Sequence, residues 1–297
     1  MIKNLDQIYE LAKSKPTKKL AVVWVEGKEV LEAVIEAKKD NLIEPILIGP
    51  KNIVNELQEL QVNPGDFTII NCETKDEAAT VGVTLIRENK ADILMKGLID
   101  TNALLKAVVN RDTGIRTGRL LSHVALVSFP TLARILFCSD IAMNISPTVE
   151  QKIEIIYNLL RVMKSLGYEK PRIGLASAIE KVNPKMQSSV EAAEIANYFK
   201  DKDIEAIIDG PFALDNLVSI EAAKEKNITS PVAGVADGII FPDIDAGNIF
   251  YKTAQFLAGA TSAGIVVGAK APICLTSRAD TKQTKLYSIA LAVVYEE

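Results

Sequence analysis

Short, unbroken apolar runs alternate with stretches whose apolar residues recur at helical spacing through the first third of the chain. Residues 20–24, 45–49, 67–70 and 92–95 are continuous apolar runs, as expected of strands buried on both faces. Residues 29–39, 52–60, 76–88 and 101–109 place apolar positions along one stripe and predict amphipathic helices. Strands that alternate with such helices predict βαβ units and a parallel sheet.

The alternation blurs between Arg111 and Ser146. Residues 124–127 and 135–137 read as two strands with too little chain between them for a full helix, so an antiparallel pair or a domain crossing is expected. Pro147 and Thr148 then read as a helix start. Beyond them, helices are expected over 149–166, 186–199, 217–225, 247–257 and from about Lys282 onward, with strands over 173–176, 206–208, 238–241, 265–267 and 273–275. No internal repeat, low-complexity segment or flexible linker interrupts the pattern. Two domains would therefore be joined by crossings of structured chain.

The 297 residues suffice for two modest domains. The net charge of −4 offers no basic excess for a phosphate backbone, which argues against nucleic-acid binding. Aromatic residues make up 5%, so the core is aliphatic. Cys72, Cys138 and Cys274 are far apart, which suits reduced thiols and neither a disulfide framework nor a zinc site. The start has the features of no signal peptide, and Gly, Lys or Asp breaks each apolar run well short of the ~18–20 residues that span a bilayer. A soluble, cytoplasmic protein without a membrane partner is expected.

The candidate chemistry lies where apolar strands give way to polar residues, because ligands in open parallel sheets bind at strand C-termini. Ser277 and Arg278 follow the predicted 273–275 strand, just ahead of the last helix. A hydroxyl and a guanidinium near helix N–H groups suit a phosphate, and Asp280 adds a carboxylate. Lys96 and Gly97 follow the 92–95 strand, with Thr101 placed to cap the next helix, and together they suggest an anion-binding lip. Arg111, Arg116 and Arg119 share a Gly-punctuated loop, with Arg116 the preferred phosphate ligand. His123, the only histidine, is a candidate base or a hydrogen-bonded structural residue. Ser139, Asp140 and Asn144 follow another strand, and Asn183 sits in a loop between strand and helix.

Asp237, Asp243 and Asp245 flank the 238–241 strand. They offer a weaker metal-binding reading, against which Asp245 caps a helix at Gly247 and Asp243 closes a turn. Neither a G-x-G-x-x-G nor a G-x-x-x-x-G-K-[ST] segment occurs at a strand end, which argues against an ordinary dinucleotide or P-loop site. A G-x-S-x-G elbow is missing too.

With these residues assembled, the chain resembles the phosphate acetyl/butyryltransferase family. The resemblance runs from about Asp92 onward and is strongest in Phe241-Pro-Asp-Ile-Asp-Ala-Gly-Asn-Ile-Phe-Tyr-Lys252, in Leu257-Ala-Gly-Ala260 and in Leu275-Thr-Ser-Arg278. Lys96-Gly97, Arg116-Thr-Gly-Arg-Leu-Leu-Ser-His123 and Thr276-Ser-Arg-Ala-Asp280 look like the butyryl branch. The resemblance implies a two-domain α/β/α architecture like that of isocitrate and isopropylmalate dehydrogenases. In it, residues 1–126 and 264–297 form a first, discontinuous domain, residues 127–263 form an inserted second one, and the active site lies in the cleft between.

The resemblance also implies an acyltransferase acting on acyl-CoA, coenzyme A, inorganic phosphate and acyl phosphate, with coenzyme A as substrate and no metal or other cofactor. Members are typically homodimers or larger. Ser277 and Arg278 match the family's Ser-Arg pair, which engages phosphate and the reacting thiol, and Arg116 matches a second arginine. Lys96, Gly97, Thr101, His123 and Asn183 complete the expected substrate-binding set. Thr284 stands at the spacing where acetyltransferase members carry a catalytic Asp, so Asp280 becomes the candidate base. A metal-dependent decarboxylating dehydrogenase of the same fold and a non-catalytic cleft-type binding protein are the alternatives.

Overall fold

A computed structural model describes residues 2–296. The chain divides into two compact units, one of Asp6–Arg119 with Ala263–Tyr295 and the other built on Leu120–Ser262.

Through Arg119 the chain forms α1 (Leu5–Lys13), β1 (Lys18–Val23), α2 (Lys28–Lys39), β2 (Ile43–Gly49), α3 (Ile53–Glu59), β3 (Thr68–Asn71), α4 (Lys75–Arg87), β4 (Ile93–Lys96) and α5 (Thr101–Val108). Next come β5 (Ser122–Ser128), β6 (Ile135–Ser139), α6 (Val149–Ser165), β7 (Arg172–Ala176), α7 (Gln187–Lys200) and β8 (Ile207–Phe212). They are followed by α8 (Leu214–Val218), α9 (Ile220–Glu225), β9 (Gly238–Ile240) and α10 (Ile244–Phe256). The last elements are β10 (Thr261–Val267), β11 (Ile273–Cys274) and α11 (Lys282–Val294).

In the first unit the strands run β3-β2-β1-β4-β11-β10. All neighbours pair in parallel except β10, which runs antiparallel to β11. Leu20 to Val23 are fully buried, as continuous apolar strands covered on both faces should be. Helix α2 buries Val30, Leu31, Ala33, Val34 and Ala37, the stripe its periodicity predicts. It packs against α11, which is buried from Thr284 to Val294. A helix apolar on nearly every side belongs inside a core, and its few polar groups are satisfied there: Ser288 Oγ donates to Thr284 O at 2.8 Å and accepts the Gly264 N–H at 3.0 Å.

In the second unit the order is β5-β6-β9-β7-β8. Strands β5 and β6 pair antiparallel with Ala125 opposite Cys138, while β6, β9, β7 and β8 are parallel. Phe212, Leu217, Ile239 and Tyr251 belong to the buried cluster beneath them. Thr148 caps α6 in a reciprocal capping box with Gln151.

Some local features differ from the sequence expectation. Helix α1 is an additional element. The helix expected over 217–225 is two short helices, because Ser219 is extended and its hydroxyl caps α9 by accepting the Ala222 N–H at 3.2 Å. Helix α10 begins at Ile244, ahead of the expected Gly247, because Asp243, and not Asp245, is its N-cap and accepts the Ala246 N–H at 2.9 Å. Gly247 and Asn248 are thereby helical residues facing the chain after β6. A Cβ on Gly247 would lie 2.5 Å from Asp140 O, and Asn248 Nδ2 donates to Ile141 O at 3.2 Å. Much of the motif that stands out in the sequence therefore fastens α10 to its neighbour.

Candidate active site

Strands β4 and β11 are parallel neighbours, with Cys274 opposite Met95. Their C-terminal ends therefore place Lys96 beside the segment that carries Ser277 and Arg278. Lys96 is the last residue of β4 and is 5% exposed. Its Nζ donates to Ile99 O at 3.1 Å and Gly97 O at 3.3 Å, which folds the ammonium over the loop leading to α5. Gly97 has a structural reason to be glycine: a Cβ there would lie 2.3 Å from Trp24 O, while its N–H donates to Val23 O at 2.9 Å. The close approach it permits is to the end of β1. Thr101 is the first residue of α5 and Asp100 takes the N-cap position, which corrects the expectation that Thr101 caps this helix.

After β11 the chain makes a closed polar turn. Ser277 N–H donates to Asp280 Oδ2 at 2.7 Å, Asp280 N–H returns to Ser277 O at 3.2 Å, and Ala279 N–H donates to Ser277 Oγ at 3.3 Å. The N-cap of α11 is Thr281, which accepts the Thr284 N–H at 3.2 Å. The Ser-Arg pair thus belongs to a turn preceding the cap and does not itself open the helix. Arg278 is exposed, and its Nη2 donates to Asp100 Oδ1 at 2.7 Å.

Lys285, which sequence reasoning missed, completes the group. It lies in the first turn of α11 and is 3% exposed. Its Nζ donates to Asp280 O and, at 3.5 Å, to Ser277 O. Burial pushes both the Lys96 and Lys285 ammonium groups below the usual lysine range. At Lys96 the charges of Arg278 and Lys285 lower it further, against the pull of Asp100 and Asp280. At Lys285 the opposing pull comes from Asp280 and Glu29. Three cations, two of them buried, thus gather at the ends of two adjacent strands with two carboxylates among them. Such a cluster has the charge and the donors to hold an anion.

The other expected residues make contacts of their own. Arg116 is exposed, and its backbone bridges to Ala269 in the turn after β10. His123 and Asn183 belong to the second unit. His123 is buried in β5, where its carbonyl accepts the Ser139 hydroxyl at 2.8 Å. Asn183 Oδ1 accepts the Lys185 N–H at 3.0 Å, a local turn bond ahead of α7. Asp140 is buried and braces its own loop through the Ala142 and Met143 N–H groups and Asn144 Nδ2.

Two of the three acids weighed as metal ligands have other work. Asp237 takes the Arg172 guanidinium at 3.1 Å and the Arg172 N–H at 2.9 Å, while Asp243 caps α10. Among the described residues, no group of three or more His, Cys, Asp or Glu side chains is placed to hold a metal ion, and no helix is long and apolar enough to cross a membrane.

A family model described as phosphate acetyl/butaryl transferase matches residues 73–293. The chain is 44% identical over 296 residues to a phosphate acetyltransferase of Thermotoga maritima, covering 98% of this chain and 99% of that one. It is 40% identical to a phosphate butyryltransferase of Clostridium acetobutylicum, covering 99% and 98%. Its fold matches the crystal structure of a branched-chain phosphotransacylase from Enterococcus faecalis with a TM-score of 0.85 at 33% identity, over 95% of this chain and 100% of that one. With a cationic cluster at the ends of β4 and β11 and relatives that align end to end, this chain belongs to the phosphate acetyl/butyryl transferase family.

Proposed function

We propose that this phosphate acyltransferase interconverts a short or branched acyl-CoA and phosphate with the acyl phosphate and coenzyme A, and that the reacting phosphate sits among Lys96, Ser277 and Arg278. The observation that carries this placement is the pairing of β4 with β11, which brings three cations to one strand-end edge.

The chemistry divides among these residues. In the direction of thioester synthesis, the coenzyme A thiol, with an ordinary pKa of ~8–9, loses its proton to a base. Asp280 is the carboxylate nearest in sequence to the Ser-Arg pair and takes that role in our reading. The thiolate attacks the acyl phosphate carbonyl, and the developing oxyanion is met by Ser277 or backbone donors. Collapse breaks the acyl–oxygen bond and expels phosphate, which takes up the proton that Asp280 had accepted and whose charge Arg278 and Lys96 offset. In reverse, a phosphate oxygen attacks the thioester carbonyl and the departing thiolate recovers the proton.

The reaction calls for no covalent enzyme intermediate, and the three cysteines are poor candidates for one. All are buried, and burial pushes the Cys138 and Cys274 thiols far up. Arg116 is a second, more peripheral phosphate contact in this reading, and a homodimer or larger homo-oligomer is its expected state.

Release of coenzyme A from acetyl-, butyryl- and isobutyryl-CoA, with and without phosphate, tests the proposal. Phosphate-dependent release with the highest kcat/KM on the four-carbon substrates supports it. Release that ignores phosphate overturns it, and a strong preference for acetyl-CoA overturns the chain-length part.

A further inference from the structure

A lysine in the first turn of a helix opposes the positive end of the helix dipole, and burying it adds a desolvation cost. Lys285 carries both penalties: it stands in the first turn of α11 and is 3% exposed. What it gains is specific. Its Nζ reaches back to Ser277 O and Asp280 O, the two carbonyls that bracket the turn bearing Ser277 and Arg278. The same turn is closed on its other side by the Ser277 N–H bond to Asp280 Oδ2. The ammonium also lies within electrostatic reach of Lys96 across the β4–β11 edge.

A methionine or leucine at this position would leave both carbonyls without this donor, so what the ammonium specifically supplies is a hold on the turn. We infer that Lys285 is a positioning residue of the phosphate subsite: its ammonium clamps the Ser277–Asp280 turn through both carbonyls and so presents the Ser277 and Arg278 donors to an incoming phosphate. This rests on the acyltransferase reading only for the identity of the anion.

Lys285→Met keeps the apolar stem and deletes the clamp. Calorimetric titration of the full chain with inorganic phosphate, alongside steady-state kinetics, reads the effect. A folded Lys285→Met variant should bind phosphate weaker by about tenfold or more, with the acyl-CoA KM changed less than about twofold, since the lost bonds order one subsite and not the whole protein. Unchanged phosphate affinity, or equal weakening of both substrates, overturns the inference. If Lys285→Met does not fold, Lys285→Gln keeps a neutral donor in the turn. It should then give an intermediate phosphate affinity, and wild-type affinity in that variant overturns the inference. Wild-type protein that binds phosphate but transfers no acyl group sinks the functional reading and leaves the clamp standing. Wild-type turnover with undiminished phosphate binding in the variant does the reverse.

Discussion

Arg278 Nη2 donates to Asp100 Oδ1 at 2.7 Å, joining two loops that are 178 residues apart in the chain. The contact exists because β4 and β11 are parallel neighbours, so the residues that leave their C-terminal ends meet. It also means that the guanidinium we assign to phosphate already has a carboxylate partner, one a dianion would have to share or displace. Both side chains are largely exposed, and exposed pairs contribute only ~0.2–1 kcal/mol. Asp100→Asn should therefore leave the thermal midpoint nearly unchanged. Removing a competing negative charge should lower the phosphate KM by about two- to fivefold. A raised phosphate KM would show instead that Asp100 aims Arg278.

Arg278→Ala should cost about 2–4 kcal/mol of transition-state stabilisation, the range for losing one positioned electrostatic donor. Arg278→Lys should recover little of it, because a point charge does not replace a planar fork. Near-normal kcat/KM in either variant would place the phosphate elsewhere.

Asp280→Asn separates chemistry from architecture. The Asp280 carboxylate closes the turn by accepting the Ser277 N–H, and an amide oxygen accepts the same bond. Thr281, not Asp280, caps α11, so the helix start is untouched. The variant keeps the turn and the cap but loses the charge that faces Lys96 and Lys285, so some stability is lost; in the folded variant kcat should fall far more than KM changes, with the acid limb of the pH–rate profile altered. A folded variant with wild-type kcat would reject Asp280 as the base.

Burial holds the Lys96 and Lys285 ammonium groups below the usual lysine pKa of 10.5. Between the folded and ordinary values the unfolded chain binds more protons. The cost of burying these charges therefore falls as pH rises through that window, and their contribution to stability improves. Phosphate binding carries the opposite sign, since it needs the charged forms. The phosphate KM should climb as pH rises into this window, and Lys96→Met should raise KM at neutral pH while flattening that climb. A wild-type KM that stays level up to the ordinary lysine range would remove the two lysines from the site.

Much of this organisation was legible in the sequence. The apolar runs over 20–24 and 92–95 became β1 and β4, and the β5–β6 pair is antiparallel where the alternation blurred. Strand-end logic singled out Lys96, Ser277, Arg278 and Asp280, which follow the adjoining ends of β4 and β11. Lys285 escaped it because a lysine in Lys-Gln-Thr-Lys at a helix start looks like a solvated residue, and only packing reveals that α11 is buried from its first turn. The cap positions of α5 and α10 shifted by a residue or two among neighbouring Asp and Thr. Either residue type caps well, so composition does not choose between them. Gly97 carries no sign of whether its bare Cα faces a ligand or, as observed, the end of β1.

The central claim is that acyl transfer to phosphate occurs at a site organised around Arg278. Phosphorus NMR of the full chain with butyryl-CoA and inorganic phosphate tests it most directly, by following acyl phosphate while free thiol is titrated in the same sample. The account predicts acyl phosphate and coenzyme A appearing together in equal amounts, with both nearly abolished by Arg278→Ala. Thiol released without acyl phosphate, or acyl phosphate formed at an undiminished rate by Arg278→Ala, would contradict it.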